Sequence, residues 1–240
     1  MDKSCPNRGA YVTAAGVGIN LALGVLYAWS IFKAAIKQSI EKGGRDAFHW
    51  DMSSLNDPYA VCCLVFACAM IVAGRCQDRF GARITASIGG LLVGAGFLLA
   101  SGSTDYSRWV AGFGVLAGAG IAFGYSAATP AALKWYPPAQ TGKIAGIVVS
   151  GFGLASVYIA PLTQYLLDHR GMAYAMRFYG IAFPIVVCVL AWLLVPPPAG
   201  YVPGPGEDRR FGNRAAAAGA IKDTAAGPSG MIRTKMFWIL

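Results

Sequence analysis

A chain of 240 residues that is 56% hydrophobic and only 13% charged departs far from a soluble domain, in which roughly a quarter of residues are charged. Its net charge of +9 is spread in short clusters rather than along one polar segment. No nucleic-acid motif accompanies it, which argues against a nucleic-acid partner. With a mean hydropathy of +0.51, the pattern is that of an all-α polytopic membrane protein whose first partner is the lipid bilayer.

Crossing a bilayer core takes about 20 mostly apolar residues. Six windows qualify, near 11–32, 58–77, 84–101, 109–132, 143–166 and 174–195, so a six-span bundle is expected over residues 1–195. Lys3 and Arg8 precede the first window. That window is too long for a signal-peptide core and lacks a small-x-small cleavage site, so it is expected to stay in the membrane. At the second span, Asp57 is the expected N-cap and Pro58 the first helical residue. Cys62, Cys63 and Cys68 share this span at spacings that suit neither a zinc site nor a disulfide framework; they read as small packing residues. Glycines recur four apart in later spans, as at Gly90 and Gly94 or Gly142 and Gly146, and such spacing lets membrane helices approach closely.

Pro196, Pro197 and Pro198 should stop the sixth helix. Residues 196–230, rich in Pro, Gly, Ala and charge, read as a flexible linker. The sequence then turns apolar from Met231 to Leu240 and ends in Phe237, Trp238, Ile239 and Leu240. Ten residues cannot cross a bilayer, so this stretch reads as the truncated start of a seventh span and the chain as an N-terminal fragment. Thirteen of the twenty Lys and Arg residues fall at the N-terminus, around Arg75–Arg83, at Lys134 and Lys143, and between Arg209 and Lys235. Such an excess marks the cytoplasmic side. The expected location is a bacterial inner (plasma) membrane.

Between spans two and three the chain reads Gly74-Arg75-Cys76-Gln77-Asp78-Arg79-Phe80-Gly81-Ala82-Arg83. This resembles the G-x-x-x-D-R-x-G-R-[RK] loop of the major facilitator superfamily. Gly74, Asp78, Arg79, Gly81 and Arg83 fall on its main positions, with Ala82 replacing one of the two final basic residues. Such a loop needs glycines, and a carboxylate beside arginines forms a breakable charge network. Further segments resemble the oxalate/formate antiporter family: Gly24–Phe32, Ala117–Gly120 with Gly124-Tyr125, Lys134–Pro137, Ser150–Gly153, and Met231–Thr234 with Phe237-Trp238. The resemblance implies an N-terminal half of a twelve-span fold built from a 3+3 inverted repeat, with small carboxylates such as oxalate, formate, lactate or pyruvate as substrates. It also implies that the motif loop latches against the missing C-terminal six-helix half. That half would supply the charged ligands, from spans eight and eleven.

The middle thirds of the spans hold almost no ionisable residue, and charges there are costly and usually functional. An anion must nevertheless meet positive charge or dense donors. The neutral candidates here are Tyr27, Trp29, Tyr125, Tyr158 and Asn20. By the resemblance, Tyr27 and Tyr125 match positions of an aromatic cage around the carboxylate. Each of these aromatics also fits an interfacial anchor or a packing residue, and Trp135 and Tyr136 fit an interfacial place better. Leu26 stands where oxalate carriers of the family have glutamine, which favours a monocarboxylate over oxalate.

Rival readings meet specific obstacles. No asparagine begins the Asn-Pro-Ala repeat of an aquaporin-like channel. An intramembrane protease needs a histidine base within the bilayer, but His49 and His169 are expected in external loops. A non-transporting membrane remnant or scaffold stays open, and would tolerate substitution of the aromatic positions. The Gly-rich runs lack the preceding strand and the Lys-Ser/Thr ending of a phosphate loop. No enzymatic activity, cofactor or metal is expected.

Overall fold

A computed structural model of the chain describes residues 6–44, 47–198 and 201. The expected truncated span at 231–240 and nearly all of the expected linker at 196–230 lie outside these residues. Among the described residues every regular element is helical. Five stretches are long and apolar enough to cross a membrane: Arg8–Lys42, Met52–Phe80, Ala82–Ser101, Tyr106–Leu133 and Pro138–Trp192.

The first stretch comprises α1 (Pro6–Leu23), a 3₁₀ turn (Gly24–Ala28) and α2 (Trp29–Lys42). It runs ten residues past the expected end at 32. The sequence turns polar there, but α2 continues because it is amphipathic: Trp29, Phe32 and Ile36 lie on one buried face, at the spacing of a helical stripe. The second is α3 (Asp57–Phe80), entered through a 3₁₀ turn at Met52–Asn56. Asn56 rather than Asp57 precedes the helix, and its side chain makes no cap bond. The Asp57 carboxylate instead accepts a 2.7 Å hydrogen bond from the Tyr106 hydroxyl. The third is α4 (Ala82–Ser101).

The fourth joins α5 (Tyr106–Trp109), a π-helical segment (Val110–Ala117) and α6 (Gly118–Leu133). The fifth contains α7 (Thr141–Trp192), broken by Gly171 at φ 80°, ψ 174°. That conformation disfavours any side chain with a Cβ. Two rods, residues 141–170 and 172–192, meet at this single glycine. His169 therefore lies on the helix, its Nδ1 2.9 Å from the Tyr165 carbonyl oxygen, not in the loop expected between 166 and 174. The helix runs on to residue 170, so the loop expected between 166 and 174 contracts to Gly171.

Glycines set how closely the rods approach. A Cβ added to Gly89 of α4 would stand 2.6 Å from the Gly124 nitrogen and 2.7 Å from the Gly120 oxygen of α6. Gly90 and Gly94 face Val187 and Pro184 of the last rod in the same way, and Gly151 of α7 faces the Val17 carbonyl of α1. Gly114 and Gly118 seat Val61 and Cys62 of α3. The core between them is aromatic: Trp29, Phe32, Phe97, Phe113, Tyr179 and Phe183 are all buried, and Trp29 lies 4.7 Å from Phe113 between ring centroids.

Trp135, expected at an interface, is buried and donates from Nε1 to the Val195 carbonyl at 2.9 Å. It pins the chain where it leaves α7. At the opposite end, Trp50 and Trp109 donate to the Thr104 and Ser103 carbonyls at 2.8 and 2.9 Å. The Trp50 bond holds the segment after α2, and the Trp109 bond holds α5, against the turn between α4 and α5.

Glycines that look alike in sequence differ in consequence here. Gly89→Ala is expected to lower the thermal midpoint in detergent, by the equivalent of about 1–3 kcal/mol for an overpacked contact. Gly146→Ala, with nothing within 4 Å of its added Cβ, should hold or raise the midpoint by up to about 1 kcal/mol of helix propensity. Equal midpoints for the two variants would show that the α4–α6 contact does not set the packing.

Candidate functional site

α3 and the first rod of α7 carry the faces least covered by the rest of the bundle. On the rod, Gly142, Gly146 and Gly153 share one side, and a Cβ added to any of them meets nothing within 4 Å; the same holds for Gly74 of α3. Tyr27 is 56% exposed and Tyr158 40% exposed, large aromatic groups left open at the joint between α1 and this rod.

Four aromatic rings form a continuous edge-to-face chain at the opening. Tyr27, in the 3₁₀ turn, meets Phe152 of α7 at 5.4 Å. Phe152 meets Tyr125 of α6 at 5.6 Å, and Tyr125 meets Phe66 of α3 at 5.8 Å. Such arrangements set the positive edge of one ring against the negative face of the next. Every rod that contributes to the face is thereby linked. The hydroxyls of Tyr27 and Tyr125 make no hydrogen bond among the described residues. Tyr158, by contrast, donates to the Leu21 carbonyl at 2.9 Å, where α1 is about to tighten into the 3₁₀ turn. This bond ties the rod to α1 just before the turn.

Sequence reasoning named Tyr27, Tyr125 and Tyr158, and the structure brings all three to this region. Asn20 and Trp29 lie elsewhere, closed inside the bundle. Asn20 is fully buried and donates through Nδ2 to the Val148 carbonyl at 2.8 Å, so it ties α1 to α7. Trp29 is 5% exposed and packs between Tyr59 and Phe113. Phe66 and Phe152 were missed as site residues. The signal was there, since both sit on spans that also carry small residues, but a phenylalanine in an apolar run reads as core or lipid contact.

Below the aromatic chain a cavity of about 390 Å³ is lined by Met70, Gly74, Gln77, Asp78, Tyr125, Ser126, Thr129, Pro130 and Lys134. It connects Tyr125 to the motif end of the bundle. Gly74, Asp78 and Arg79 belong to the last turns of α3, and α4 starts at Ala82, so the expected loop is reduced to Gly81 at φ 84°. The Gly81 N–H donates to the Gln77 carbonyl at 2.8 Å, and the Thr85 hydroxyl donates to the Gly81 carbonyl at 2.9 Å. Asp78, Arg79 and Arg83 are exposed and form no ion pair among the described residues. Arg79 instead places its guanidinium 5.5 Å from the centroid of the Phe80 ring. The charge network expected within this motif is thus not closed among these residues: adjacent positions on a helix point about 100° apart, which separates Asp78 from Arg79.

The Major Facilitator Superfamily profile matches residues 12–239. The chain belongs to that superfamily. It is 25% identical over 234 residues to the oxalate:formate antiporter of Oxalobacter formigenes, covering 98% of this chain and 50% of that protein. It is 28% identical over 190 residues to an uncharacterized MFS-type transporter of Escherichia coli (strain K12), YhjX, covering 78% and 45%. Monocarboxylate transporter 13 of Bos taurus is 35% identical over 118 residues, 49% of this chain and 28% of that one. The chain spans about half the length of the first two. It is a multi-pass membrane protein of a transporter family.

The Tyr158 clamp gives a direct check. Tyr158→Phe keeps the ring and removes its hydrogen bond to the Leu21 carbonyl. The expected result is a stability loss of about 0.5–1.5 kcal/mol with faster amide exchange around Leu21–Val25. Unchanged exchange there would mean that the 3₁₀ turn is held without the hydroxyl.

Proposed function

We propose that the chain forms six of the spans of a secondary transporter of small carboxylates that works by alternating access, with Tyr27 and Tyr125 donating hydrogen bonds to the carboxylate. The observation that carries this reading is the chain of rings from Tyr27 to Phe66, with two free hydroxyls at an uncovered face. A carboxylate entering a low-dielectric site must exchange its hydration for donors. The two tyrosines offer them without placing a buried charge in the empty protein. Relatives that are oxalate:formate and monocarboxylate transporters support the substrate class. Leu26, apolar and buried, adds no donor, which favours a monocarboxylate such as formate, lactate or pyruvate over oxalate.

The open glycine sides of α7 and α3 suit close approach by helices of a C-terminal half. That half would bring the cationic ligands this one lacks. Asp78, Arg79 and Arg83, without an ion pair among the described residues, would latch against it in one state and release in the other. In this reading the N-terminus and the linker face the cytoplasm of a bacterial inner membrane, following the excess of Lys and Arg. The competing reading, a non-transporting remnant or scaffold, predicts that the aromatic face tolerates substitution.

In proteoliposomes holding this chain joined to a second six-helix half, labelled formate, lactate or pyruvate should enter saturably and oxalate more slowly. Tyr27→Phe and Tyr125→Phe should each reduce uptake about tenfold, the effect of losing roughly 1.4 kcal/mol of hydrogen bonding. The 240-residue chain alone should show no saturable uptake. Preference for oxalate would overturn the monocarboxylate assignment, and full uptake by both tyrosine variants would overturn the site.

A further inference from the structure

Arg83 stands where two cavities meet at the motif end of the bundle. One, of about 270 Å³, lies among Phe80, Gly81, Arg83, Ala131, Lys134 and Leu194. The other, of about 380 Å³, runs from Arg83 along Ile84, Ser87, Ile88, Leu91 and Trp192. The second is a groove between α4 and the end of α7, and its walls beyond Arg83 are apolar except for Ser87. Ile84, Leu91 and Trp192 are each half or more exposed. From Ile84 to Leu91 the groove follows α4 for about 10 Å at the helical rise.

Exposed apolar side chains in a row fit hydrocarbon, and a groove among them fits a single acyl chain. The two cations at its head change what kind of lipid that is. Neither Arg83 nor Lys134 takes part in an ion pair among the described residues, and both line the smaller cavity. A guanidinium grips phosphate oxygens in a two-pronged fork, and an ammonium adds a point charge. The choice is between a zwitterionic headgroup, whose own cation would be set against Arg83 and Lys134, and an anionic one. Charge complementarity selects the anionic headgroup.

We propose that this is a binding site for one anionic phospholipid, its phosphate between Arg83 and Lys134 and one acyl chain in the Ile84–Ile88–Leu91–Trp192 groove. The lipid would then bear on the Gly81 joint, because Gly81 lines the phosphate end of the site. The site does not depend on the carboxylate reading, and its test needs no substrate.

The test is native mass spectrometry of the purified, delipidated 240-residue chain, titrated with phosphatidylglycerol or with phosphatidylcholine of the same acyl chains. Phosphatidylglycerol should be retained roughly fivefold more, given the attraction of basic residues for anionic lipid. The double variant Arg83→Gln, Lys134→Gln should remove that preference, and Ile88→Trp should lower retention of both lipids by filling the groove. Arg170→Gln, at a cation flanking the Gly171 joint, should retain lipid as the parent does. Circular dichroism shows that each variant keeps its helix content. Equal retention of the two lipids overturns the proposal, as does a preference that survives the double variant. Displacement of phosphatidylglycerol by glycerol phosphate, with Ile88→Trp silent, would identify a site for a free phosphate ester and likewise overturn it.

Discussion

Lipid tails are as apolar as leucine, so helices inside a bilayer gain little by hiding apolar side chains from their surroundings. Contact between backbones has to hold them instead, and in this protein glycine provides it. The α4–α6 contact passes through Gly89, Gly120 and Gly124, the α4–α7 contact through Gly90 and Gly94, and the α1–α7 contact through Gly151. Side chains at these places would push the rods apart and dissolve the aromatic core that lies between them. Asn20 adds a bond from α1 to the Val148 carbonyl beside the Gly151 contact.

The same residue type has the opposite use on the other side of the α7 rod. At Gly142, Gly146 and Gly153 an added Cβ would meet nothing within 4 Å among the described residues, while Gly151, on the opposite side of the helix, is locked against Val17. The rod thus has one fixed side and one free side. This division is what a bundle needs if it is to move as a body against a second one while keeping its own packing. The breaks at Gly81 and Gly171 mark the ends of rods without loosening them, because the chain stays helical up to the glycine on both sides.

Electrostatics explains why the candidate site is aromatic. An ionised group at mid-membrane is costly when unpaired, and the middle thirds of the spans hold almost none. Neutral tyrosines are stable at that depth with or without an anion, and only their hydroxyls must find partners. Tyr158 has found one in the Leu21 carbonyl. Tyr27 and Tyr125 have free hydroxyls among the described residues, and so carry the proposed binding. The charges of the motif remain at the end of the bundle, where Asp78 and Lys134 line one cavity and Arg83 and Lys134 another.

The sequence alone determined the class of protein, the approximate position of the helices and the superfamily motif, because hydropathy over 20 residues and a spaced set of charges and glycines are local properties. It also pointed to Tyr27, Tyr125 and Tyr158. What it could not determine was direction. Trp29 sits two residues after Tyr27 and so faces nearly the opposite way, but only the neighbouring helices decide that Tyr27 is the open one and Trp29 the enclosed one. Trp135 reads as an interfacial anchor, yet packing buries it over the Val195 carbonyl. A polar stretch around His169 reads as a loop, yet helical bonding runs through it to Gly171. Phe66 and Phe152 join the site through ring contacts between residues far apart in the chain. Which way a side chain faces, and what meets it there, depends on helices that approach from elsewhere in the sequence, and only the tertiary structure decides that.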